Sequence, residues 1–340
     1  MATLGTDYVT IADFQARTKA DGTFEHKMAN RVARTNELLQ FIPWIRGDKD
    51  DGNTVVQATK LPTVGYIKYN KAPTKSKGAA VQVTFDTGVL KTFSDIDAEL
   101  VNAKVDKAGF RQGEDMLFVE AMNQQVASDL IYSNIATVPE KFNGLATLYA
   151  APNTTRNNYG YYMLNGGGSG SVNTSIWLMS LGEDGVAGIF GKAGHAGLSM
   201  KDHGGEVWGP DSSGNDMQWY RSEYRWEVGL QVKRPGAVVR ICNIDTTKLL
   251  AETDAADLSV LVQRAIGLIE PGLGRIVIAC NRTLKTWFRI QASKETTLGL
   301  HDIKDTFGKP IQAIDGYPII QMDTITNAEA TIAGTFQSDL

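Results

Sequence analysis

Residues 54–90 constrain this chain more than any other stretch. Two extended runs, 54–61 and 64–69, go out and a third, 80–85, comes back, which is the pattern of one long two-stranded hairpin. The return run alternates, with Val81, Val83 and Phe85 on one face and Gln82, Thr84 and Asp86 on the other. Between the runs, Lys71-Ala-Pro-Thr-Lys-Ser-Lys-Gly78 is rich in turn residues and lysine, the composition of a hairpin tip. At about 3.3 Å per residue, an arm of about 16 residues reaches roughly 50 Å. A two-stranded ribbon on its own is marginal in water. This one is expected to lean on another surface, and a second subunit is the natural candidate.

The rest of the chain is large enough to fold without that arm. Its 340 residues exceed what one compact core usually uses, so two lobes are expected. Hydrophobic residues make up 42% and charged residues 21%, a balance that argues against wholesale disorder. The net charge of −4 does not suit a dedicated nucleic-acid binder, which is usually basic. The N-terminus lacks a cationic start and an apolar run, so no secretory signal is read there. No apolar stretch approaches the ~18 residues a membrane span needs. Cys242 and Cys280 sit in strand-like apolar runs and read as buried thiols of a reducing compartment. A disulfide between them is the other possibility, which spacing does not decide.

Along the chain, Thr10 is placed to cap a helix over 11–17 and Thr23 one over 24–39, with Pro43 and Gly47 ending that region. A long helix is expected over 106–133. Val119, Met122, Val126 and Leu130 fall on one of its faces, widened by Phe110, Leu117, Phe118 and Ala121. Residues 150–175 are low in complexity and read as a surface loop, followed by a strand over 175–180. Residues 182–214 hold many glycines and read as short turns. A second long hairpin is expected over 219–244. Tyr220, Tyr224, Trp226, Val228, Leu230 and Val232 lie on one face of its outgoing strand, and Arg234-Pro-Gly236 makes the turn. A helix over 257–270, a buried strand over 276–280, a helix over 282–292 capped by Asn281, and a hairpin turning at Asp315-Gly316 complete the pattern.

Readings that would carry catalysis fail on spacing. A phosphate loop needs Gly five residues before a Gly-Lys that Ser or Thr follows. Before Gly191-Lys192 that position is Val186 and Ala193 follows; before Gly308-Lys309 it is Ile303 and Pro310 follows. Gly166 and Gly168 lack the third glycine of a dinucleotide fingerprint, because Ser171 stands there. His195, Asp202 and His203 lie in a glycine-rich stretch with no third ligand nearby, and read as surface loop residues. No close cysteine or histidine pair starts a zinc site, and Ser169 lacks the Gly-x-Ser-x-Gly context of a nucleophile elbow. The chain is expected to have no catalytic, cofactor-binding or metal-binding residues.

The order of elements, with several local segments, resembles the major capsid proteins of tailed bacteriophages. That architecture is the Johnson or Hong Kong ninety-seven fold, and the likeness is nearest to short-tailed phages of the epsilon-fifteen type. The segments that carry it are Leu61-Pro-Thr-Val-Gly-Tyr66, Phe118-Val-Glu-Ala-Met-Asn-Gln124, Asn173-Thr-Ser-Ile-Trp-Leu178, Tyr224-Arg-Trp-Glu-Val-Gly-Leu230, Val239-Arg-Ile-Cys-Asn-Ile244 and Asn281-Arg-Thr-Leu-Lys285. None is a catalytic motif, so the signal lies in their number and order.

The resemblance implies an α+β fold. Residues 1–50 would form an N-terminal arm and 51–93 an extended hairpin loop lying across a neighbouring subunit. Residues 94–145, with strands 219–244, would form a peripheral domain around a spine helix, and 146–340 would be mainly the axial domain. It further implies self-assembly through pentamers and hexamers into an icosahedral head around double-stranded DNA in the host cytoplasm. DNA would be enclosed without sequence-specific binding, and no membrane would be involved. Scaffold and portal proteins would be partners, with a cement protein as a further option. The arm begins near Met1, so no large cleaved domain is expected. At the loop tip, Tyr66, Lys68, Tyr69, Lys71, Lys75 and Lys77 are the expected inter-subunit contacts. The lysines would meet either Asp95, Asp97 and Glu99 or Asp48, Asp50 and Asp51 of a neighbour, without covalent crosslinking. The alternative is a tail or adhesin component that uses the long hairpins for recognition.

Overall fold

A computed structural model describes residues 36–103, 105–210, 214–294, 300–304 and 310–337. The helix read over 11–17, and all but the end of the one read over 24–39, lie outside those residues. The chain divides into two compact units. No helix among the described residues is long and apolar enough to cross a membrane.

The described residues of the smaller unit are 89–103, 105–126, 197–210 and 214–227. It holds the outer part of β3 (Ala79–Asp97), α2 (Ala98–Asn102), most of the long helix α3 (Lys107–Tyr132), and β7 (Leu198–Pro210) paired with β8 (Asp216–Val232). Asp97 starts α2 by accepting from the Glu99 backbone N–H at 2.9 Å. Ile96, Val101 and Phe110 form a small core against Leu100 and Tyr220. The Arg221 guanidinium grips Asp95 through both carboxylate oxygens, at 2.6 and 2.7 Å, and lies over the Phe93 ring. That fork is the strong form of an ion pair, because two parallel bonds fix the geometry.

The glycine-rich run 182–214 is not a set of turns. It contains β6 (Val186–Phe190) and the 13-residue β7. β7 pairs antiparallel with β8, with a register shift between Asp202 and Glu206. The expected hairpin over 219–244 is therefore wrong in its pairing. β8 runs against β7 and β6, whereas β9 (Val238–Asp245) pairs with β4 (Met163–Asn165) and β5 (Asn173–Leu181). The Arg234-Pro-Gly segment becomes a 3-10 turn that sends the chain elsewhere. Proline and glycine signal a break here, but they do not say which strand lies beyond it.

The larger unit is built on a mixed sheet in the order β11 (Leu300–Lys304), β12 (Pro310–Ile314), β13 (Tyr317–Gln321), β10 (Arg275–Cys280), β5 (Asn173–Leu181), β6, β8, β3 and β2 (Gly52–Lys60). Its centre is β5 (Asn173–Leu181), buried at every residue, as a strand covered on both faces should be. β10 (Arg275–Cys280) runs antiparallel to β5 and parallel to β13 (Tyr317–Gln321). β13 returns from β12 (Pro310–Ile314) through Asp315 and Gly316, both at positive φ as a tight primed turn demands. Residues 150–175 are less loop-like than their composition suggests. Tyr162, Met163 and Leu164 are buried where β4 (Met163–Asn165) pairs with β9. After the one-turn helix α1 (Leu38–Phe41), a short β1 (Trp44–Arg46), unread in the sequence, runs parallel to β6. After the short helices α4 (Leu145–Leu148) and α5 (Thr246–Ala251), Asp257 caps α6 (Leu258–Leu268), which buries Leu258, Val262, Ala265 and Leu268. Asn281 caps α7 (Arg282–Lys294) by accepting from the Leu284 N–H at 2.9 Å.

The segment after β13 crosses the sheet without forming a strand, yet it is tightly held. Glu329 is buried. It accepts from Arg240 Nη2 at 2.9 Å, from the Tyr132 hydroxyl at 2.6 Å and from Ser175 Oγ. Arg240 also donates to the Tyr149 carbonyl at 2.8 Å and lies over the Trp177 ring. Burial, then the Glu329 carboxylate, holds the Tyr132 phenol far above its ordinary pKa.

Candidate functional site

The arm is shorter in its paired part than the sequence suggests. β2 (Gly52–Lys60) pairs with β3 from Gly52 opposite Asp86 to Lys60 opposite Ala79. At about 3.3 Å per residue, those nine residues of β2 span roughly 30 Å. The outgoing run 64–69 is not a strand. Pro62 and Pro73 supply no N–H to a ladder, and 61–78 carries no strand at all. The reversal comes earlier than the lysine-rich run, at Lys68–Lys71, where the Lys71 N–H donates to the Lys68 carbonyl at 3.2 Å and Asn70 takes φ +64°. Ser76 Oγ ties the return to the Thr63 carbonyl at 2.8 Å.

Burial falls steadily along the arm. Phe85 packs with Val55 and Ile189 at the base, with Val83 against them, while Val81 is exposed. Beyond it, Tyr66, Lys68, Tyr69, Lys71, Lys75 and Lys77 are all exposed. Tyr66 and Tyr69 are exposed about as fully as in an extended chain, at 109% and 102%. Leu61, Val64 and Ile67 add to this apolar surface in water.

The two acidic sets differ in how far they are already engaged. Asp95 is held by Arg221 and Asp97 caps α2, so two of the first three carboxylates work within their own unit. In the second set Asp48 accepts from the Thr54 N–H at 2.9 Å, while Asp50 and Asp51 are exposed.

Among the described residues, His195, His203, Cys242 and Cys280 stand apart from any ligand set. His203 faces Glu223 at 3.4 Å, Asp202 pairs with Arg111 at 3.0 Å, and His195 is exposed in the loop before β7. The Arg111 pairing, helped by the Gly204 N–H, holds the Asp202 carboxyl below its ordinary range. No group of three His, Cys, Asp or Glu among the described residues is placed to hold a metal. Cys242 and Cys280 are buried free thiols, and burial pushes each up to about 12, which leaves them protonated and unreactive.

One feature of the smaller unit escaped sequence reasoning. A groove of about 690 Å³ runs between the start of α3 and β7. Met116, Val119, Leu198 and Met200 line it, with Tyr224 and Asp115 at its floor. Asp115 looks in sequence like an ordinary polar-face residue beside Glu114. Its burial depends on β7 and β8, whose pairing lies about 90 residues further on and leaves no local signal.

The α+β fold agrees with the comparisons. A family model described as major capsid protein GP7 matches residues 19–333. The capsid protein in a near-atomic structure of bacteriophage Epsilon15 is 30% identical, with 98% of this chain and 99% of that chain covered and a TM-score of 0.77. The capsid of bacteriophage JBD30 is 10% identical over 93% of this chain and 99% of that chain, with a TM-score of 0.47. The capsid of a native GTA particle is 9% identical over 65% and 94%, with a TM-score of 0.46. Those last two likenesses are loose, and the assignment stands on the family model and the Epsilon15 structure. No curated protein matches the chain. The tail or adhesin alternative is not favoured. The chain belongs to the GP7 family of major capsid proteins and is a shell protein of a phage capsid.

Proposed function

We propose that this capsid protein closes its shell by laying the hairpin arm across a neighbouring copy. The carrying observation is the near-complete exposure of Tyr66 and Tyr69, with Leu61, Val64 and Ile67, at the end of a ribbon whose apolar cluster lies at its base. Stable protein interfaces bury about 1,200–2,000 Å². An arm tens of ångströms long supplies such area without a large globular face. The lysines at the tip meet carboxylates of the neighbour and set the register, while the apolar residues supply the affinity. Each copy touches several others, so modest contacts add through effective concentration.

In this reading residues 1–50 are an N-terminal arm and 51–93 the extended loop. The smaller unit, with α3 as its spine, answers to the peripheral domain, and the sheet around β5 to the axial domain that meets its copies in pentamers and hexamers. The shell encloses double-stranded DNA without reading its sequence, in keeping with a net charge of −4. It forms in the host cytoplasm with a scaffold and a portal, and a cement protein is compatible with it. The chain performs no catalysis. Deleting residues 66–80 tests the arm. The subunit should keep its fold and melting temperature while shells no longer form. Normal shells from that deletion would overturn the reading.

A further inference from the structure

A second cavity, of about 460 Å³, lies within the larger unit. Its walls come from residues 56–59 of β2, from the turn that carries Arg156 and Asn157, from the 3-10 turn at Pro235 and from Glu270 just after α6. Side chains of those walls tie them together. Gln57 Nε2 donates to the Lys233 carbonyl at 2.9 Å, and Asn157 Nδ2 to the Thr59 carbonyl at 3.3 Å. The buried Tyr149 hydroxyl donates to the Pro235 carbonyl at 2.6 Å. The charged residues that line the cavity are Arg156, Lys233, Arg234 and Glu270.

Their partners leave the site positive. Lys233 Nζ donates to Asp184 at 2.5 Å, and Glu270 accepts from the Tyr162 hydroxyl at 3.0 Å. Burial, then the Glu270 carboxylate, pushes the Tyr162 phenol up to about 12, so it stays a donor and part of the Glu270 charge is already engaged. Arg156 faces the same hydroxyl. Neither Arg156 nor Arg234 has a carboxylate within ion-pair distance among the described residues, and both are exposed at the cavity. Cations outnumber carboxylates here even with Asp184 counted. A guanidinium fork matches two oxygens of an oxyanion. A carboxylate fills one such fork, whereas a phosphate group offers three oxygens and about two negative charges at neutral pH, enough for both. The volume exceeds what a bare ion needs and falls among small-ligand sites of about 300–1,000 Å³. Val56 and Pro235 supply apolar wall. We infer that this cavity binds a phosphate ester, with Arg156 and Arg234 gripping the phosphate and Val56 and Pro235 against the group that carries it. The site does not depend on where the arm docks.

Titration calorimetry of the full-length protein with adenosine monophosphate, at low ionic strength where charge is least screened, tests it. Arg156→Ala with Arg234→Ala should weaken binding at least about ten-fold, equivalent to about 1.4 kcal/mol. The melting temperature should not move, because both side chains are exposed. Glu270→Gln should tighten binding, since the amide oxygen still accepts from Tyr162 while the negative charge is gone. A merely structural role for Glu270 gives no such gain, and this variant decides the matter should the double variant misfold. Lys201→Ala with Arg264→Ala removes the same charge from exposed positions elsewhere and should leave binding as it was. A short DNA duplex that competes with adenosine monophosphate would support the site and identify its ester as a backbone phosphate. A duplex that does not compete, with the nucleotide still bound, would support it as a site for free phosphate monoesters. No binding of either probe, equal weakening in the two double variants, or an affinity that Glu270→Gln leaves unmoved would overturn the inference.

Discussion

Arg240 and Glu329 are both almost fully buried, and what keeps them from costing the fold dearly is the completeness of their partners. The guanidinium donates to Glu329, to Ser175 and to the Tyr149 carbonyl, and its face lies on Trp177. Removing one member of a buried pair strands the other charge, which typically costs about 3–5 kcal/mol. Glu329→Ala should therefore destabilise the subunit by about that amount in chemical denaturation. Arg240→Met with Glu329→Leu should recover most of the loss, because no charge is left unpaired. If the double variant is as unstable as the single one, the network acts through packing instead. Little of this was legible in the sequence. Cys242 and Cys280 were readable as buried, because their own neighbours are apolar. Glu329 sits among Ala, Thr and Asn in a run with no periodicity, and its partners Tyr132, Ser175 and Arg240 are between 89 and 197 positions away.

At the level of elements, local signals placed what local residues determine. The long helix, the helix read over 257–270, the cap at Asn281 and the Asp315-Gly316 turn are all present, since each depends on residues within a few positions. The stripe on α3 is narrower than read, for Leu117 and Ala121 are exposed while Met122, Val126 and Leu130 are buried. Strand pairing was the weak point. β7 was hidden because Gly204 and Gly205 at its register shift look like a turn, and glycine at an irregularity in a ladder is equally consistent with a bulge. β1 was hidden because Trp44-Ile-Arg46 is too short to show a period. Its place is made by Gly188 on β6, where a Cβ would come within 2.6 Å of the Trp44 ring. Gly188→Val should force the indole out and detach β1, at a cost of about 1–3 kcal/mol typical of overpacking. Native-state hydrogen exchange should show early loss of protection at the Gly188 N–H, which donates to the Pro43 carbonyl at 2.9 Å. Unchanged protection there would mean that β1 does not depend on this contact.

For the whole molecule, the question is which part of the arm holds a shell together. The tip offers two kinds of side chain, tyrosines and lysines, and their energies differ in scale. Exposed ion pairs contribute about 0–1 kcal/mol and are screened by salt, whereas buried tyrosine at an interface is often a hot spot of about 2 kcal/mol or more. Tyr66→Ser with Tyr69→Ser should therefore raise the assembly threshold far more than Lys75→Gln with Lys77→Gln. The lysine variant should chiefly slow assembly and flatten its dependence on ionic strength, because charges on the rim steer encounter more than they hold the complex. Light scattering against protein concentration at low and high salt separates the effects. A threshold that moves more for the lysine pair than for the tyrosine pair would place the affinity in charge rather than in apolar burial. The arm would then act as an electrostatic tether, and its exposed apolar residues would need a different explanation.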